Sequence, residues 1–415
     1  MRKTIRWGLA ALAVLAFGLI IQPAIAQNTI RLGYTELLSG PFANVGDQGI
    51  KTIQMVVDGI NAKGGVLGKK LEIVPYDHKG QPSEAIANLQ KMADDGIQIM
   101  LNCGPSNVGS ALIGAVDKHN ERNPNQRILF INCGALAPEL TNEQCSYWHF
   151  RFSMHAGQQS EIMVRAMPKT VKSVYLINQD YIFGQSAQRD MKKYLAQLRP
   201  DVKIVGEELI PLGKIKDFSS YITKIKATGA DGVMTGNWGQ DLSLLVKAGM
   251  EAGLPVNYYT ILGHLAGSPT AIGPNGDGRV FSVLSMHENV GNETNNAELE
   301  AWVQEFRKKF DFDFIFGDRR LAIEMVAAGI AKAGSTDPIK LAQALEGLTV
   351  KDAAGNDATM RKDDHQVVMT YYGSVFSRGV KNDSEKTGLG WKTQVTVKPT
   401  DLDQTHSCKM KRPTG

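Results

Sequence analysis

Apolar residues recur along this chain at two spacings, and the spacings alternate. Residues 29–33 set Ile30 and Leu32 between polar neighbours, the two-residue period of a strand, whereas residues 46–63 place Ile50, Ile53, Val57 and Ile60 on one helical stripe. Gly64-Gly65 follows, and glycines that accept a left-handed backbone predict the helix stop there. The unit repeats as a strand at 71–76 with a helix through Ala85, Leu89 and Met92, a strand at 97–102 with a helix at 110–119, and a strand at 128–132. After an extended stretch at 150–153 a second series begins. Its strands are expected at 173–178, 202–209, 232–235 and 256–262, and its helices at 183–198, 218–227 and 241–252. Parallel neighbours need a dozen or more connecting residues, so each series predicts a parallel sheet with crossover helices.

The rest of the chain lacks the strands for a third domain. A strand at 280–285 precedes helices around 298–309, 320–333 and 338–348, then an alternating run at 367–375 and a polar end. Such helices must cover sheets that already exist. The expected architecture is therefore α/β: two Rossmann-like lobes with parallel sheets joined by three hinge strands. Lobe 1 is expected to comprise 27–150 plus 283–365, lobe 2 to comprise 151–282 plus 366–395, and 396–415 to form a tail.

Composition narrows the class. With 415 residues, 43% hydrophobic and 21% charged, the chain can build substantial cores, and a net charge of +4 is too even for a dedicated nucleic-acid binder. Arg2, Lys3 and Arg6, an apolar run over 7–21 and the small-residue site Ala24-Ile25-Ala26 predict an export signal cleaved after Ala26. The run is shorter than the ~20 residues of a spanning helix. The mature chain is expected outside the cytoplasmic membrane, freely diffusing because Gln27 rather than cysteine follows the cleavage site. In that compartment disulfides persist. Cys145 is expected to pair with Cys408, since a polar tail needs a tie to stay docked; whether Cys103 and Cys133 pair is left open.

Enzyme signatures fail one by one. Ser106 sits in Gly104-Pro105-Ser106-Asn107-Val108-Gly109, whose second glycine is one residue too far for a nucleophile elbow. The stretch 64–70 lacks the hydroxyl residue of a phosphate loop, and no metal-binding spacing of His or Cys occurs. No catalytic residue, cofactor or metal is expected, and Asp363-Asp364-His365 reads as a solvated turn with a local ion pair. The loops at strand carboxyl ends remain, where open α/β sheets hold ligands. In lobe 1 they offer Phe42, Asn44, Cys103, Gly104, Ser106, Gly134, Ala135 and Leu136; in lobe 2, Asp180, Tyr181, Phe183, Trp238 and His264. Small, amide-rich loops on one side favour an anion, and rings on the other favour an apolar body. The expected ligand is a small carboxylate gripped by amides near 104–106 and 134–136, with Arg319 as a candidate partner for an anionic group.

Several blocks resemble a known family. Ser39-Gly40-Pro41 with Gly46, Asn61-Ala62-Lys63-Gly64-Gly65, the run at 68–77 and Ala137-Pro138-Glu139-Leu140-Thr141 are similar to the leucine/isoleucine/valine-binding proteins, periplasmic substrate-binding proteins of ABC importers. The resemblance implies a type I binding-protein fold that closes on a ligand and presents it to a membrane permease; a monomer is expected. In the family's amino-acid binders a serine, a threonine and an acidic residue hold the ligand. Here Gly104, Leu136 and the neighbourhood of Gly263-His264-Leu265 stand at those positions, so the acid is missing. Trp238 and Phe183 stand where the family carries rings. Gln179-Asp180-Tyr181 and Cys408-Lys409-Met410 look more like the subgroup that binds aromatic or other organic acids. The resemblance thus implies an acid without an α-ammonium, with a branched-chain or other amino acid as the alternative and a receptor's ligand-sensing subunit as the alternative role.

Overall fold

The computed structural model describes residues 29–413, so the expected export signal lies outside the described residues. The first series folds as β1 (Thr29–Glu36), α1 (Ala43–Ala62), β2 (Lys70–Asp77), α2 (Pro82–Asp94), β3 (Ile99–Asn102), α3 (Ser106–Arg122), β4 (Leu129–Asn132) and β5 (His149–Arg151). Its sheet runs β2-β1-β3-β4-β5 with every pairing parallel. The short central strands β3 and β4 are buried along their whole length, as strands covered by helices on both faces must be. Gly64 and Gly65, at φ 100° and 73°, turn the chain after α1.

The second series gives α4 (Ala156–Ala166), β6 (Ser173–Gln179), α5 (Ile182–Leu198), β7 (Lys203–Ile210), α6 (Ser219–Thr228), β8 (Gly232–Thr235), α7 (Gly239–Glu251), β9 (Asn257–Thr260), α8 (Ser268–Ile272) and β10 (Val280–Leu284). The chain then adds α9 (Val290–Glu293), α10 (Ala297–Phe310), α11 (Gly317–Ala333) and α12 (Pro338–Leu345). A small antiparallel sheet of β11 (Thr349–Lys351), β12 (Asp357–Met360) and β13 (Val367–Val368) follows, then β14 (Tyr371–Ser377) and β15 (Gly390–Val397). The second large sheet runs β15-β14-β10-β9-β8-β6-β7 and is mixed, because β14 and β15 join it antiparallel. The alternating run 367–375 is thus two strands. It breaks at Met369-Thr370 because the chain there leaves the small sheet for the second large one.

The chain passes between the two large sheets three times: after β5, after β10, and between β13 and β14. Helix α4 escaped the periodicity reading because it is buried on all sides from Ala156 to Val164, and its polar run Gln158-Gln159-Ser160-Glu161 leaves no apolar stripe of helical period. At 363–365 the turn and its local ion pair are present and Asp363 is exposed, but the other two residues are not solvated. Asp364 and His365 are buried, with Asp364 paired to Arg361 and the His365 ring stacked on Phe150 at 3.8 Å. The tail crosses α4, with Asp403 N–H donating to Glu161, and ends against lobe 1, where Cys408 is disulfide-bonded to Cys145. A second disulfide joins Cys103 to Cys133.

Candidate functional site

Polar side chains at the ends of the buried strands shape the loops that face the other lobe. Asn132 at the end of β4 accepts the N–H groups of Gly134 and Ala135 on Oδ1, and the Cys103–Cys133 disulfide joins this turn to the one after β3. In lobe 2, Gln179 at the end of β6 donates to Asp241 at 2.8 Å and to the Trp238 carbonyl at 3.4 Å, fixing the turn into α7.

Between these loops lies a cavity lined from both lobes and from the hinge, with Glu36, Cys103, Gly104, Ser106 and Arg319 on one side and Tyr181, Phe183, Trp238, Leu262 and His264 on the other. About 70 Å³ of it is open to the centres of water-sized molecules. That is several times the roughly 10–15 Å³ minimum for holding one water, so the cavity can take solvent or a small organic ligand. The lobes meet around it. Phe42 stacks on Trp238 at 4.4 Å, Asn44 donates to the Ala266 carbonyl at 2.7 Å, and Glu139 accepts from Ser186 and pairs with Arg189 at 2.6 Å.

Arg319 dominates the lobe 1 wall. The side chain is 3% exposed and lies over the Phe316 ring at 3.6 Å. Among the described residues its side-chain hydrogen bonds are two long ones of 3.5 Å to the carbonyls of Val45 and Cys103, and Nε has no partner. Gly49 makes the room: a Cβ there would lie 1.5 Å from Arg319 Nη1. A buried guanidinium without a carboxylate within hydrogen-bond reach is costly, and the cost falls when an anion enters. The first turn of α3 adds N–H groups beside it, since Arg319 reaches the carbonyl of Cys103 just before that helix.

Two acids share this wall and were missed by sequence reading. Glu36 ends β1 and accepts three hydrogen bonds, from the N–H groups of Leu37 and Cys103 and from the Tyr34 hydroxyl. Asp318 opens α11 beside Arg319; burial pushes its carboxyl above the usual range, against the opposing pull of Arg319. A charged residue at the carboxyl end of β1, where open α/β sheets hold ligands, was the available signal for Glu36. Asp318 gave none, because an acid in a first helical turn is ordinary.

The lobe 2 wall is neutral. Trp238 Nε1 donates to the Tyr181 hydroxyl at 2.9 Å, which leaves the phenol proton as a donor, and burial keeps that phenol protonated. His264 is held down to about 3 by burial first and by the like charge of Arg319 second.

The structure brings Cys103, Gly104, Ser106, Gly134, Leu136, Tyr181, Phe183, Trp238, His264 and Arg319 to the cavity. Phe42 and Asn44 are elsewhere: they seal the seam between the lobes, as the ring and amide contacts above describe. Ala135 is fully buried with its methyl toward Gly109, and Asp180 is exposed and accepts from Gln185. The amides at 134–136 are also not free to grip a carboxylate. Gly134 and Ala135 donate to Asn132, and Leu136 donates to Ser106 Oγ at 3.0 Å.

The family described as periplasmic binding protein matches residues 29–379. Leu/Ile/Val-binding protein homolog 4 of Brucella abortus is 30% identical, with 97% of this chain and 98% of the relative covered. The leucine-, isoleucine-, valine-, threonine- and alanine-binding protein of Brucella ovis, solved in a closed conformation, superposes with a TM-score of 0.82 at 28% identity, covering 93% of this chain and 100% of that one. A solute-binding protein of an R. palustris ABC transporter, solved with benzoate, superposes with a TM-score of 0.77 at 20% identity over 92% and 99% of the two chains, which shows a shared fold.

Proposed function

The chain belongs to the periplasmic binding proteins, in the leucine/isoleucine/valine-binding family, and we propose that it binds a small carboxylate between its lobes and delivers it to an ABC permease. Arg319 carries this reading: a buried guanidinium with an unpartnered Nε faces the cavity. The neutral rings of lobe 2 suit an apolar or aromatic body. The relatives' names point to branched-chain amino acids and the benzoate complex to aromatic acids, and both classes carry the carboxylate that Arg319 calls for. Export with cleavage after Ala26, a monomeric state and binding without turnover belong to the same proposal. Ser106 fits a structural role, since its Oγ accepts the N–H groups of Leu136 and Ala137.

Ligand touching both lobes favours the closed state by contacts available only there. A melting-temperature screen of carboxylic acids against their primary amides tests the reading. The right acid at 100-fold over its Kd should add about 2.7 kcal/mol of stability, and its amide far less. Small-angle scattering should show compaction with the same acid. Equal stabilisation by acid and amide, or none by any acid, would refute the carboxylate.

A further inference from the structure

Asp318 is half-buried, and the cavity it lines is the one that holds Arg319. Its Oδ1 accepts the Arg319 backbone N–H at 2.8 Å and its Oδ2 the Ser153 hydroxyl at 2.8 Å, which are its side-chain hydrogen bonds among the described residues. A carboxylate offers about four acceptor positions, so acceptor capacity is left over. Glu36 is fuller, with three of its acceptor positions taken by two backbone N–H groups and the Tyr34 hydroxyl. Asp318 is also rigidly placed. Ser153 lies in the first passage between the lobes, and Ser285 of the second accepts the Asp318 backbone N–H at 3.3 Å.

Resting on the carboxylate reading, we infer that Asp318 is a specificity-determining residue that selects ligands bearing a hydrogen-bond donor, a hydroxyl or an ammonium, close to the carboxylate held by Arg319. The acid absent from 263–265 is supplied from α11 instead. A donorless acid would leave the remaining acceptor positions of Asp318 unmet, with nothing between the two carboxyl groups to offset their repulsion.

Two matched series test this by calorimetry: 4-methylpentanoate and 3-phenylpropanoate, each with its 2-hydroxy and 2-amino derivatives. In the wild type at least one derivative should bind about tenfold or more tighter than its parent, the size of one charge-assisted hydrogen bond. In Asp318→Ala that preference should collapse to within about threefold. Asp318→Asn separates the donors, because an amide oxygen still accepts from a hydroxyl but cannot pair with an ammonium charge. Parents binding as tightly as derivatives in the wild type, or a preference undiminished in Asp318→Ala, would overturn the inference while leaving the carboxylate reading intact. The wild-type series decides even if a variant fails to fold. If no member of either series binds, the carboxylate reading falls and this inference with it.

Discussion

The two walls of the cavity solve different problems. Lobe 1 faces the cavity with Arg319, Asp318, Glu36 and Ser106, while lobe 2 faces it with Tyr181, Phe183, Trp238, Leu262 and a neutral His264. On the proposed function, charge is read on one side and shape on the other. A ligand bound to lobe 1 alone would leave its apolar body in water, and one bound to lobe 2 alone would leave Arg319 unpaired. Closure satisfies both, so the division makes binding and domain movement the same event.

The largest expected effect follows from removing the charge. Arg319→Met should lower affinity for the preferred acid by roughly 100-fold or more, since two charge-assisted bonds are lost. The ligand-free protein should melt a few degrees higher, because an apolar side chain of similar length replaces an unpaired buried cation. Calorimetry and thermal melting read the two changes. Unchanged affinity, or a lower apo melting point, would show that Arg319 braces lobe 1 rather than holding the ligand.

The opposite wall should give a smaller loss. Trp238→Ala removes a ring and should weaken binding by roughly 10- to 100-fold, as for a buried aromatic anchor. Its stacking partner Phe42 sits on the other lobe, so the ligand-free melting point should move by no more than a few degrees. A collapse of apo stability would place the ring in the core of lobe 2 and remove shape reading from that wall.

The difference between the walls also governs what the sequence disclosed. Lobe 2's rings stand at strand carboxyl ends, where position alone marks them, and Tyr181, Phe183, Trp238 and His264 all face the cavity. The two sheets were legible for the same reason, because β-branched strands and helical stripes are local patterns. Lobe 1's wall depends on distant contacts. Arg319 reaches the cavity through a gap left by Gly49 and stands beside the loop after β3, contacts that span more than 200 residues. Asp318 depends on Ser153 and Ser285 of two hinge passages. The amides at 134–136 misled in the reverse direction: Asn132 and Ser106 hold them, and strand-end position does not say which partner an N–H has chosen.

The finest test concerns His264, the one titratable imidazole on the neutral wall. Its folded value of about 3 lies below its ordinary 6.5, so between those values the unfolded chain binds a proton that the folded protein refuses. Stability from this group is complete above pH 6.5 and is lost as the pH falls toward 3. His287, His149 and His155 are depressed as well and act in the same direction, so the difference between variants is the useful quantity. His264→Gln should bind the preferred acid at pH 7.5 within about twofold of wild type, while losing about 1 kcal/mol less stability per pH unit below 6.5. Parallel stability curves would mean that His264 is not held neutral. A rise in carboxylate affinity between pH 7 and 5.5 that vanishes in His264→Gln would show a second cation forming opposite Arg319, and lobe 2 would then read charge too.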